Sequence, residues 1–344
     1  MTQPVDDNTP AVTDEPPPRP VWASKAPDSE WCPPAWDAVL RELVPGWPGL
    51  TSAPGSLDAE TAQDRAGPWH VVAASRRGRL HAHRGEYRED AIAVRTFADG
   101  WCGAVADGAG SATWSRVGAA VATHTFCTRV ATSSGAPAER ATRAAHAVFD
   151  TLRALSERLD IAPRTLRTTL LAVAAIDTDI LTLQVGDGGI VLVAHDGTIS
   201  ATQAGDAGEY SGDVMHFLPD DRTGERLADS LHVASATSVR AVLLATDGIE
   251  DPWYPLPRHA AMLVDSLERG VTDDVAAHVA AATSVQFAWR GRVIQHSAQD
   301  SATLAEWMTF EKRGENDDRS LLFARCSAAN TTGAAPATTG DAPG

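Results

Sequence analysis

Apolar and polar positions along the chain fall into blocks of two kinds, some alternating with period two and others recurring every three or four residues. Residues 69–74, 91–97 and 101–106 read as short strands, the last two joined by a hairpin turn at Ala98-Asp99-Gly100. Two helices follow. The first spans 114–130. In the second, 138–159, Ala141, Ala144, Ala145, Val148, Leu152, Leu155 and Leu159 form one apolar stripe that must pack on a broad surface. Residues 168–176, 180–185 and 189–194 are β-rich runs separated by Asp177-Thr178-Asp179 and Gly186-Asp187-Gly188. They read as an antiparallel meander that continues past His195-Asp196-Gly197. Residues 239–245 form a fully apolar strand that stops at Thr246-Asp247-Gly248. Helices are predicted over 257–269 and from a Thr272 cap with Asp273 and Asp274 in its first turn, and a last strand, 319–326, follows Asn316-Asp317-Asp318. Strands, a helical pair, more strands and then helices define an α+β domain with helices packed on sheets.

The flanks differ from this core. Residues 29–45 carry Trp36, Val39, Leu40 and Leu43 as a short amphipathic helix after a Pro-rich lead, and the stretch from Pro45 to Gly67 reads as linker. The ends are rich in Pro, Thr, Asp, Ala and Gly, too polar to offset chain entropy by burial. The expected organisation is a disordered tail (1–28), a helix plus linker (29–67), one domain (68–326) and a second disordered tail (327–344).

Composition narrows the function. A net charge of −16 repels a phosphate backbone, so nucleic acid is not expected as a partner. The first 14 residues hold acids and no basic residue or apolar run, and nowhere do 18 apolar residues follow one another, so a soluble cytoplasmic protein away from membranes is expected. Four scattered cysteines without CxxC spacing fit a reducing compartment. Only two of the 29 basic residues are lysines, Lys25 and Lys312, so a cation meeting an anionic substrate is expected to be a guanidinium.

The chemistry lies in where acids sit relative to strands. Glu89-Asp90 opens one strand, Asp107-Gly108 closes the next, Asp247-Gly248 closes a buried one, and Asp317-Asp318 opens the last. Carboxylates gathered at one sheet rim repel unless cations neutralise them, and oxygen donors suit Mg²⁺ or Mn²⁺ better than zinc. Without a Cβ, Gly108 lets the backbone approach a metal closely.

The order Gly85…Arg88-Glu89-Asp90, Val105-Ala106-Asp107-Gly108-Ala109-Gly110-Ser111, Thr168-Thr169, Val185-Gly186-Asp187, Thr246-Asp247-Gly248 and Asn316-Asp317-Asp318-Arg319-Ser320-Leu321 resembles the metal-dependent PPM/PP2C protein phosphatases over residues 70–326. Gly78 with His81, and Ser115 to Ala119, add the pattern of a bacterial branch. The resemblance implies a four-layer α/β/β/α sandwich with two central, mostly antiparallel sheets. It implies two Mn²⁺ or Mg²⁺ ions at one edge, with Asp107 bridging them, Glu89 and the Gly108 carbonyl serving one, and Asp247 and Asp317 serving the other. Asp90 would hold metal-bound water, while Asp187 and Asp318 would support the site without ligating. The implied activity is hydrolysis of phosphoserine and phosphothreonine in proteins by a bridging water, in signalling alongside a cognate serine/threonine kinase. His81 and His83 are candidates to protonate the leaving alkoxide. Many relatives carry a phosphate-binding arginine at the position of Gly85; here Arg84 and Arg88 flank it, and strand alternation favours Arg84.

Two other readings compete. A phosphatase-shaped module could bind phosphoprotein without turnover, or His81-Ala82-His83 could be the HxH of a zinc metallohydrolase. The segment 204–229, rich in Gly, Asp and Ser, reads as a mobile flap near the site.

Overall fold

A computed structural model describes residues 24–50, 57–201, 216–253, 256–272, 274, 277–279, 281, 287–289 and 297–327. Most of both predicted tails, the greater part of the helix expected from Thr272, and residues 204–215 of the flap segment lie outside the described residues.

Two antiparallel sheets form the centre. One runs in the order β1 (Ala59–Ala66), β2 (Trp69–Arg76), β11 (Arg319–Cys326), β10 (Val239–Ala245), β7 (Gly189–Ala194) and β8 (Ile199–Ala201). The other runs β3 (Ala91–Phe97), β4 (Gly100–Ala106), β5 (Leu170–Ile176), β6 (Asp179–Val185) and β9 (Leu231–Ser235). Val71, Ala73, Val242, Leu244 and Leu322 of the first sheet meet Ile92, Val105, Leu171 and Val173 of the second in a dry interlayer. Alternate residues face outward on to helices. α3 (Ser115–Thr132) and α4 (Pro137–Arg158) cover the five-stranded sheet, and the apolar stripe of α4 from Ala141 to Leu155 is buried there. α5 (Leu256–Arg269) and α6 (Ser301–Trp307) cover the other. This is the four-layer sandwich expected.

Three local readings are corrected. Residues 59–66, read as linker, form the edge strand β1, paired residue for residue with β2. Its sequence AETAQDRA carries little apolar signal because an edge strand buries little of itself. Second, the three β runs after residue 168 are not one meander. β5 pairs with β6, but β7 joins β10 in the opposite sheet. The chain changes sheets through Gly186 and Gly188, both at φ near +90°, a conformation that glycine adopts without strain. Third, the polar stretch before Asp90 contains a short helix, α2 (Arg79–Arg84), ended by Gly85 in the left-handed region.

The N-terminal segment is part of the fold. Its helix α1 (Trp36–Leu43) buries Leu40 and packs against α4, with Trp36 over Trp114 at 4.7 Å. Upstream, the Lys25 amide donates to Ala82 O at 2.9 Å, fastening the segment to α2. Among the described residues, no helix is long and apolar enough to cross a membrane.

Candidate active site

Strand register builds the site. The first residue of β3, Ala91, lies opposite the last of β4, Ala106; Leu171 pairs with Val105; and Ala245 pairs with both Gly189 and Leu321. Residues just beyond these pairs therefore share one rim of the sandwich: Glu89, Asp90, Asp107, Thr168, Thr169, Asp187, Asp247, Asp317 and Asp318. Hydrogen bonds fasten them. Thr169 Oγ1 accepts from the Asp107 amide at 2.9 Å, and Thr168 Oγ1 donates to the Asp107 carbonyl at 2.8 Å. Thr246, on the six-stranded sheet, donates its hydroxyl to Asp90 Oδ2 of the other sheet at 2.9 Å. That bond ties the two layers at the rim. The sequence signal for it is the threonine immediately before Asp247.

The electrostatics of the rim are those of crowded acid. Burial pushes the Asp107 carboxyl well above its ordinary range, and Asp90, Asp247 and Asp187 add to the effect. Burial and then Asp187, Asp90 and Asp317 raise Asp247 to about 9. Asp90 goes to about 7 by burial and by the charge of Asp318, and Glu89 to about 7 mainly by burial. Asp187 is raised too, again first by burial. Asp90 and Asp107 interact directly through their carboxyls, while Asp90 Oδ1 is buried with no donor. Nothing in the core fold requires this arrangement, because isolated carboxyls of this depth cost stability.

Helix α2 sets the histidines. His81 Nδ1 lies 2.9 Å from Asp318 Oδ2, and the side chain is 13% exposed. Burial works against its charge, but Asp318, then Glu89 and Asp317, raise it to about 9. His83, two residues on, is exposed. Side chains two apart on a helix do not face one another, so the HxH reading has no shared ligand geometry. The flanking arginines differ as well. Arg88 is buried, with Nη2 2.6 Å from Glu60 Oε2 on β1 and Nε donating to the Asp90 carbonyl. Arg84 is 55% exposed and stands 3.7 Å from Glu86. Arg116, not considered from the sequence, senses the charge of Glu89 and donates to Trp31 O at 2.6 Å.

A family model described as protein phosphatase 2C matches residues 77–284, more than half of the chain and every rim acid except Asp317 and Asp318. The chain belongs to the protein phosphatase 2C family. Solved structures similar to it include the Stp1 serine/threonine phosphatase of Staphylococcus aureus (13% identity, TM-score 0.46, covering 78% of this chain and 95% of that one). Others are the PstP catalytic domain in complex with two manganese ions (18%, 0.46, 75% and 97%) and RsbX in complex with magnesium (13%, 0.42, 77% and 99%). Likeness at these scores adds nothing to the family match. No curated protein matches the chain.

The rim of this protein phosphatase 2C chain suits hard divalent cations in its donor chemistry: carboxylates and a carbonyl, an orphaned Asp90 oxygen, and mutual repulsion that positive charge would relieve. At Gly108 a Cβ would fall 2.9 Å from Glu89 O and 2.8 Å from Ser115, so the loop closes only around glycine. Among the described residues no three acidic, histidine or cysteine side chains stand as a finished metal cage. Asp251, one helical turn beyond Asp247 and raised by burial and then by acids that include Asp317, extends the acidic rim further than expected.

Proposed function

We propose that this chain hydrolyses phosphoserine and phosphothreonine in proteins. The observation that carries the reading is a set of carboxylates, Glu89, Asp90, Asp107, Asp187 and Asp247, brought from four separate stretches of sequence to one rim, each titrating higher, first because it is drawn out of water. Glu89, Asp107, the Gly108 carbonyl, Asp247 and Asp317 would hold two Mn²⁺ or Mg²⁺ ions. When bound, such ions lower the proton affinity of water and offset the charge of the transferring phosphoryl group. Asp90, anchored by the Thr246 hydroxyl, would accept a hydrogen bond from the attacking water. His81 gives a proton to the serine or threonine oxygen as it leaves, because an alkoxide departs poorly without one. The substrate is a phosphorylated protein, with a serine/threonine kinase supplying it, and signalling in the cytoplasm is the setting that follows.

The test is release of phosphate from phosphothreonine and phosphoserine peptides with Mn²⁺, with Mg²⁺ and in chelator, using Asp107→Asn as control. Metal-dependent turnover lost in the variant is expected; a wild-type chain inert with every metal overturns the reading. A second reading, a phosphoprotein-binding module with little turnover, is supported by the arginines: Arg88 is committed to Glu60, Arg84 stands beside Glu86, and the position between them is Gly85. Retained phosphopeptide binding without phosphate release would favour it.

A further inference from the structure

Asp318 is the rim acid whose oxygens are already in use. Its side chain is 1% exposed. Oδ1 accepts from the Gly78 amide at 2.6 Å, Oδ2 accepts from the Glu89 amide at 2.6 Å, and the same Oδ2 lies 2.9 Å from His81 Nδ1. All three groups belong to the segment 78–89, which leads from β2 to β3, whereas Asp318 precedes β11, the neighbour of β2 in the six-stranded sheet. The carboxylate is itself held on both sides. Its amide donates to Asp317 Oδ1 at 2.8 Å, and its carbonyl sits so close to Gly248 that a Cβ there would come within 1.8 Å. The Leu80 amide adds a parallel bond to Asn316 O at 3.1 Å.

A carboxylate is the group this junction needs. It offers acceptors on two oxygens, one for each backbone N–H, with capacity left for the imidazole. An asparagine offers a single oxygen, so one buried N–H would lose its partner and the NH₂ group would face a donor. The carboxylate also stands at ion-pair distance from Nδ1, 2.9 Å from Oδ2, which favours a proton on that nitrogen and leaves Nε2 for a substrate.

We infer that Asp318 is a positioning residue of the phosphatase reaction, one that turns the His81 ring so that Nε2 faces the leaving oxygen. The inference rests on the phosphatase reading above. In the step concerned, water oxygen forms the new bond to phosphorus and its released proton passes to a rim carboxylate. The bond from phosphorus to the serine or threonine oxygen breaks, its electron pair stays on that oxygen, and the oxygen takes the proton from His81 Nε2. Solvent then returns a proton to the ring.

The experiment compares two leaving groups in the full-length chain with Mn²⁺. Nitrophenolate departs from p-nitrophenyl phosphate without needing a proton, whereas the threonine alkoxide of a phosphopeptide needs one. Asp318→Asn is expected to lower kcat on the phosphopeptide about 100-fold and on the aryl ester less than about tenfold, with KM for the peptide little changed. His81→Gln should show the same selectivity, and the double variant should be no slower on the peptide than His81→Gln alone. Equal losses on both substrates, or losses that multiply in the double variant, overturn the inference while leaving the phosphatase reading intact. A wild-type chain inert toward both esters sinks the phosphatase reading itself, and the inference with it. Should Asp318→Asn fail to fold, the wild-type protein decides: a long-range proton–nitrogen correlation spectrum, assigned with His81→Gln, is expected to show Nδ1 carrying a proton, and an unprotonated Nδ1 overturns the inference.

Discussion

The acidic rim and the flank where the N-terminal segment docks both bury charge, and they treat it in opposite ways. On the flank the buried guanidiniums are paired through their terminal nitrogens, although Arg77 Nε has no partner. Arg77, with 1% of its side chain exposed, reaches Asp58 and Ser24 Oγ through Nη2 and the Lys25 and Glu86 carbonyls through Nη1. Arg88 holds Glu60. At the rim, Asp90, Asp107 and Asp247 face one another, and the Asp90 Oδ1 is orphaned. Paired buried charge serves the architecture. Unpaired buried charge of one sign costs stability and marks where a ligand of the other sign is to be met.

The largest effect expected from breaking that contrast is at Asp107. Asp107→Asn removes the carboxyl with the most acidic neighbours, and phosphatase activity should fall by about 100-fold to 1000-fold, measured as phosphate release with Mn²⁺. In chelator at pH 8 the same variant should melt higher than wild type, because repulsion has been removed. A variant that loses activity and also melts lower would mean that the rim is held together by its acids rather than strained by them. On the flank the sign is reversed. Arg77→Ala deletes hydrogen bonds to two carbonyls, a hydroxyl and a carboxylate, and should cost about 2–4 kcal/mol in denaturant unfolding, with early proteolysis near residues 24–58. A loss below about 0.5 kcal/mol would show that the segment is fastened elsewhere.

How far the sequence revealed these two regions follows from the kind of signal each carries. The rim was legible because its acids stand at the ends of strongly apolar strands, so that once strands such as Val239–Ala245 are recognised, Asp247 has only one place to go. Thr246 and Asp251 escaped because a threonine bonding across sheets, or an acid one turn along a four-residue helix, has no periodic pattern of its own. The flank was largely illegible. β1 is polar since it lies at a sheet edge, and Arg77 looked like any arginine beside a turn glycine. Its partners are carbonyl oxygens, which sequence does not display. The change of sheet at Gly186–Gly188 was missed for a related reason: two glycines announce a turn, but a tight hairpin and a crossing between layers use the same residues.

Acid and alkali should move the rim by an intermediate amount. Asp107, Asp247, Asp90 and Glu89 all titrate higher in the folded chain than in the unfolded one. Above the ordinary carboxylate range the folded state therefore holds the extra protons, and metal-free stability falls as pH rises, the penalty being complete once pH passes about 9 for Asp247. His81 acts in the same direction, since its folded value of about 9 means that its contribution is present below its ordinary value and lost on the way up. Melting in chelator should decline steadily from pH 5 to pH 9, and Mn²⁺ should restore most of the loss at the alkaline end. A flat or rising curve in chelator would remove the electrostatic half of the contrast.

The smallest effect belongs to a pair that looks strongest on inspection. Arg158, at the end of α4, makes two hydrogen bonds of 2.7 and 2.8 Å to both carboxylate oxygens of Glu42 on α1, and it ties the same two helices that Leu40 and the tryptophans hold together. Both side chains are in solvent, where the Coulomb attraction is screened and ordering two long side chains offsets what remains. Glu42→Ala should therefore leave the melting temperature within measurement error at 150 mM salt, and raising salt further should change neither protein relative to the other. The pair is the control for the comparison, an arginine–carboxylate contact like that of Arg88 with Glu60 but exposed to solvent. If Glu42→Ala destabilised as much as Arg77→Ala, desolvation would not be what separates one charged region of this molecule from another, and the raised titration of the rim acids would need a different cause.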